Sequence, residues 1–176
     1  FIEGTGWSFH GHEFLGSKMI KPLFQRLKLP LGAEMKFVQK MVRLSSRPIA
    51  LVSDDASDSA LRRMLFDAGE ELEDLFTLCK ADITTKNSQK QEKNKKNFEY
   101  VAQKIKEVEE KDHVRNFQPP ITGEQIMTMF NLQPGREIGI LKEKVKEAIL
   151  EGEITNDKEA ATQFVLQEAE KLGLKK

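Results

Sequence analysis

A chain of 176 residues, 39% apolar and 32% charged, is long enough to bury a core and too charged to insert into a bilayer, and it holds no apolar run near the roughly 20 residues of a spanning helix. Its one cysteine, Cys79, excludes an intrachain disulfide and points to a reducing, cytoplasmic compartment. The 28 Lys/Arg balance 28 Asp/Glu, which argues against a bulk electrostatic grip on nucleic acid, yet the charge is uneven: residues 18–47 hold eight Lys/Arg against one Glu (+7) and residues 53–75 two Arg against eight Asp/Glu (−6).

The chain opens on Phe1 with no initiator methionine, basic n-region or cleavage signal, and so reads as the interior of a longer protein. After a Gly-rich start (Gly4, Gly6, Gly11), Phe14, Leu15, Met19, Leu23, Phe24 and Leu27 recur at helical spacing until Pro30 and Gly32. Phe37, Val38, Met41 and Val42 predict a second helix, ended by Ser45, Ser46 and Pro48. The strip Pro48 to Val52 fits a short strand or a helix equally. Leu61, Met64, Leu65 and Ala68 share a helical face stopped by Gly69, and Leu72, Leu75, Phe76 and Cys79 repeat it, so residues 56–82 read as a helical hairpin.

Lys86 to Lys96 carry five Lys against one Glu, as a solvated loop or the exposed start of a helix, and Phe98, Val101, Ile105 and Val108 then form a narrow apolar seam. A helix from Asn87 to Asp112 would run about 39 Å and suits a connector between two lobes. Pro119-Pro120 breaks the pattern. Ile126, Met129 and Phe130, then Ile138, Leu141, Val145, Ala148 and Ile149, then Ala161, Phe164, Val165, Glu168 and Leu172 predict three further helices. With no period-2 alternation and no internal repeat, the fold class is all-α.

Candidate chemistry is sparse. His10-Gly11-His12-Glu13 is the one cluster of imidazole and carboxylate, suited to a divalent metal or a general base, or else to a helix N-terminus that favours Glu13. Asp82 at a helix end is a ligand or a cap. Asp54-Asp55 reads as a solvated cap, and His113 as a cation at a helix end. There is no Gly-rich phosphate loop, Walker pattern or nucleophile elbow. For phosphate contact the sequence offers Arg43, Arg47, Arg62, Arg63 and the Lys86 to Lys96 run. Pro134-Gly135 with Ile138-Gly139 offers either backbone N–H groups to a phosphate or a tight turn with close packing at Gly139.

The runs FHGHEFLG (Phe9 to Gly16), RLKLP (Arg26 to Pro30), RPIAL (Arg47 to Leu51), SALRR (Ser59 to Arg63), LEDL (Leu72 to Leu75) and ADITTKN (Ala81 to Asn87) occur in an order that resembles bacterial CCA-adding tRNA nucleotidyltransferases with an HD-type domain. PITG (Pro120 to Gly123), Pro134-Gly135 with Ile138-Gly139, LEG (Leu150 to Gly152) and Asn156 look like the tail of those enzymes. The resemblance implies a parent whose head domain, with Mg and nucleoside triphosphates, adds CCA to tRNA 3′ ends. It implies for this chain a non-catalytic, tRNA-holding role and no cofactor of its own. HD domains bind metal for phosphohydrolysis; on that pattern His12 and Asp82 match two ligands, a His-Asp pair would precede Phe1, and Leu44-Ser45-Ser46 stands where relatives carry a histidine before Arg-Pro.

The reading is thus a partial HD-type helical bundle over residues 1–86, a connecting helix over 87–118 and a small helical tail over 119–176. tRNA is the expected partner through Arg43, Arg47, Lys93, Lys96 and Arg136, with no membrane contact. The rival readings are an HD-type metal-dependent phosphohydrolase and a structural module self-associating through the Phe98 to Val108 seam.

Overall fold

The computed structural model describes residues 10–53, 56–82, 87–115 and 117–174, and every regular element among them is helical. The all-α class is what forms, and the ambiguous strip after Ser46 belongs to a helix. The start before His10, Asp54-Asp55 and Lys86 lie outside the described residues. Two compact units emerge, and the division is not serial: Phe1–Asp55 joins Glu70–Tyr100, and Ala56–Gly69 joins Val101–Lys176.

In the first unit α1 (His12–Arg26) and α2 (Ala33–Leu44) form the main pair. Gly16 makes it close, since a β-carbon there would stand 3.0 Å from Val42 Cγ1. Gln39 Nε2 donates to the Ser17 carbonyl at 3.2 Å beside it. The chain leaves α1 earlier than Pro30 and Gly32 suggested. Lys28 takes the left-handed conformation (φ 55°), with the Lys28 N–H on Gln25 O and the Leu29 N–H on Phe24 O at 2.9 Å. That is the Schellman pattern with lysine where glycine is favoured. Helix α3 (Arg47–Ser53) opens Arg47-Pro48, where a missing N–H costs nothing in the first turn, and Pro48 is fully buried.

Helix α5 (Leu72–Ala81) packs on α2 and α3 and buries Leu72, Leu75, Phe76 and Cys79, the four residues its spacing predicts. Helix α6 (Ser88–Asp112) is continuous over 25 residues and contributes Ser88–Tyr100 to this unit. Phe98 meets Phe76 edge-on, with ring centroids 6.0 Å apart. All four seam residues, Phe98, Val101, Ile105 and Val108, are buried within the chain. The surface expected to serve self-association is thus consumed by intrachain packing.

The second unit is built from α4 (Asp58–Ala68), the rest of α6, α7 (Gly123–Phe130), α8 (Arg136–Glu151) and α9 (Lys158–Lys171). Ser57 caps α4 by accepting the Ala60 N–H, Thr122 and Gln125 form a reciprocal capping box on α7, and Asp157 caps α9. The hairpin reading of residues 56–82 gives way because the two helices belong to different units. Helix α4 instead sets Leu61, Met64, Leu65 and Ala68 in the core shared with α8, whose Ile138, Leu141, Val145, Ala148 and Ile149 are all buried as predicted. Phe164 and Leu172 of the expected α9 face are only half-buried and exposed, respectively.

Candidate nucleic-acid interface

Two arginines offered above for phosphate are structural. Arg62 is 8% exposed; its Nε donates to Asp112 at 2.6 Å and its Nη1 to the Leu150 carbonyl at 3.4 Å. Arg63 binds Glu147 at 2.7 Å and Glu151 at 2.5 Å, bonds that raise its pKa further, chiefly through Glu151, and hold Glu151 below the usual carboxylate range. These contacts tie α4 to α6 and α8 inside the second unit. The tail-like run LEG closes on Arg62: Leu150 supplies the carbonyl, and Gly152 (φ 79°) leaves room where a β-carbon would stand 2.7 Å from Nη1.

The metal candidates His12 and Asp82 stand on α1 and at the end of α5. His12 is exposed, its Nδ1 3.5 Å from Glu13 Oε2. The Ser46 hydroxyl donates to Glu13 and, more than the nearby His12 and Arg43, keeps that carboxyl below its ordinary range. Asp82 caps α5 at the surface and lines a cleft of about 430 Å³ with Ser45, Leu78, Cys79 and Ala81. In that cleft Cys79 Sγ donates to the Ser45 carbonyl at 3.0 Å, and burial, with Asp82 second, pushes its thiol up to about 11. Among the described residues no three His, Cys, Asp or Glu side chains come together to hold a metal.

The basic candidates fall in separate places. Arg43 lies over the Phe14 ring at 4.6 Å, and Lys18 over the same ring at 4.0 Å, so an exposed aromatic gathers two cations. Arg47 opens α3 at the surface. Arg136 is the exposed first residue of α8, in the second unit. At that helix start Glu137 folds its Oε2 to 2.8 Å from where a Gly135 β-carbon would be, which sets a carboxylate at the amides proposed for a phosphate. Close packing at Gly139 is absent too: it is exposed, and a β-carbon would meet nothing within 4 Å.

The first half of α6 is different in kind. Lys90, Lys93, Lys95 and Lys96 are all exposed, and the Lys96–Glu92 pair, 3.7 Å apart, is itself open to solvent. Residues 89, 93, 96 and 100 share one face at spacings of four, three and four, which puts the 58% exposed Tyr100 in line with Lys93 and Lys96. In the sequence Tyr100 is overshadowed by the neighbouring apolar seam; its offset of two from Phe98, a step that changes helix face, is the signal that sets it apart.

No helix among the described residues is long and apolar enough to cross a membrane. No solved structure matches the chain. A curated relative, an A-adding tRNA nucleotidyltransferase of Deinococcus radiodurans, is 29% identical over 164 residues, covering 93% of this chain. The chain spans 36% of that relative's length. The family model for tRNA nucleotidyltransferase domain 2 matches residues 17–165. A match over that much of the chain shows that it belongs to the tRNA nucleotidyltransferase domain 2 family.

Proposed function

We propose that this chain is a tRNA-holding, non-catalytic part of a cytoplasmic enzyme that adds nucleotides to tRNA 3′ ends. The name of the Deinococcus relative supports A addition, and the motif order supports CCA addition. Divalent metal and nucleoside triphosphates are assigned to parts of the parent outside this chain. The observation that carries the reading is the exposed lysine run of α6, Lys90, Lys93, Lys95 and Lys96, in a member of a tRNA-processing family. Lysine ammonium groups on flexible stems neutralise phosphates and release counterions, which gives affinity without sequence readout. Arg43 and Arg47 in the same unit, and Arg136 in the other, are further proposed contacts.

The test is filter binding of the chain to a tRNA transcript across a salt series. Affinity should fall steeply with salt, and replacing the four lysines with glutamine should flatten the log–log slope by roughly 2 or more, given about 0.9 per phosphate contact on duplex. Binding indifferent to both salt and substitution would sink the proposal.

A further inference from the structure

The exposed face of α6 aligns two kinds of group that can contact nucleic acid, ammonium groups for phosphate and an aromatic ring for a base. Tyr100 is the sole tyrosine of the chain and is 58% exposed. Phe98 and Val101, close by in sequence, are 1% and 3% exposed, whereas the Tyr100 side chain stands at the surface. One turn and two turns back on its own face stand Lys96 and Lys93, with Gln89 beyond them. Ser88, Gln89, Glu92, Lys93, Lys96 and Asn97 border a groove of about 650 Å³ along the helix, in which Glu92 stands 3.7 Å from the Lys96 ammonium.

We infer that Tyr100 is a stacking platform for an unpaired base of the RNA whose backbone lies on Lys93 and Lys96. This rests on the proposed tRNA-holding role and adds a contact of a different nature. Lysines track phosphates and do not distinguish a paired from an unpaired stretch. An exposed phenol ring does, because only an extrahelical base can lay its face on it. The amide of Gln89 lines the groove beside Lys93 and Lys96 and can donate to or accept from sugar and base edges. The face therefore fits a looped or terminal single-stranded segment of a folded RNA in preference to a regular duplex.

The experiment uses the whole chain, an unmodified tRNA transcript and a blunt RNA duplex. Tyr100→Ala should weaken tRNA binding about tenfold with an unchanged salt slope, as loss of one stacked base predicts, while Tyr100→Phe binds as the original chain. Lys93→Gln with Lys96→Gln should instead reduce the slope. Fluorotyrosine incorporated at this single tyrosine should give one fluorine resonance that shifts on adding tRNA and stays in place on adding duplex. Full binding by Tyr100→Ala alongside weakened binding by the lysine variant overturns the stacking role and leaves the tRNA-holding role standing. Loss of binding in Tyr100→Phe as well overturns stacking in favour of the hydroxyl. No tRNA binding by the unaltered chain overturns both. A thermal melt of each variant separates these outcomes from misfolding, which the exposure of Tyr100 makes unexpected.

Discussion

The guanidinium of Arg62 rests on the bare α-carbon of Gly152: a β-carbon there would come within 2.7 Å of Nη1 and 3.1 Å of Cζ. Gly152 also ends α8 at φ 79°, with its N–H on the Ala148 and Ile149 carbonyls. Gly152→Ala thus meets two penalties, about 1–2 kcal/mol for the left-handed backbone and about 1–3 kcal/mol for dislodging a buried, bonded arginine. Urea denaturation should show a loss of about 3 kcal/mol with an unchanged slope, and a loss below about 1 kcal/mol would mean that Arg62 moves aside freely.

Gly139 is the control for that argument. It sits in the interior of α8, exposed, with open space where a side chain would go. Gly139→Ala should raise stability by about 1 kcal/mol through helix propensity alone. A loss of stability would restore the close packing that the sequence allowed.

Lys28 closes α1 in a conformation that L-residues disfavour. Lys28→Gly keeps both closing hydrogen bonds and removes the strain, so the midpoint of urea unfolding should rise, by about 1 kcal/mol in free energy. A fall would show that the lysine side chain stabilises the turn in another way.

Acid should weaken the fold through its bonded carboxylates. Glu168, buried on α9, takes Lys144 and Lys171 at 2.5 Å each, and these bonds hold its pKa below 4.5, the Lys144 bond most strongly. Glu71 is lowered by Lys40 and Asp157 by the Thr155 hydroxyl. Each depressed pKa means that the folded state binds fewer protons than the unfolded one near pH 4.5. The stabilisation is then present above that pH and lost as pH falls through the lower, folded values. Urea midpoints should drop as pH falls below about 4.5, and Glu168→Gln should be destabilised at neutral pH yet show a shallower acid loss. Parallel curves for the two proteins would count against the Glu168 contribution.

Much of the core was legible because one helical face was apolar and the other was not. Leu72, Leu75, Phe76 and Cys79, the seam from Phe98 to Val108, and the α8 stripe are buried where their spacing put them. Helix α1 defeated the same method because it is apolar on more than one side. Phe14, Leu15, Met19, Leu23 and Leu27, read as its core face, are all exposed, and the approach to α2 runs along Gly16 and Ser17. Arg62 and Arg63 were misread for a different reason. Apart from Asp58, one turn from Arg62 at 3.9 Å, the groups that hold them lie 50 to 88 residues away in sequence, and no local pattern announces an ion pair of that reach. The same long reach placed α4 in the second unit, against a serial division. His12 and Asp82 were offered both on residue chemistry and on resemblance, and among the described residues neither belongs to a group of three metal-ligating side chains.

Leu15 and Met19, 62% and 61% exposed, stand with Leu23 and Leu27 at steps of four along α1, and Leu29 and Leu31 continue the exposure beyond it. A cell treats open apolar surface of this extent as damage: chaperones hold it and proteases remove what they cannot hide. The lifetime of this chain is then governed by how much of that side of α1 stays open, which makes abundance, and not only stability, a property of this surface.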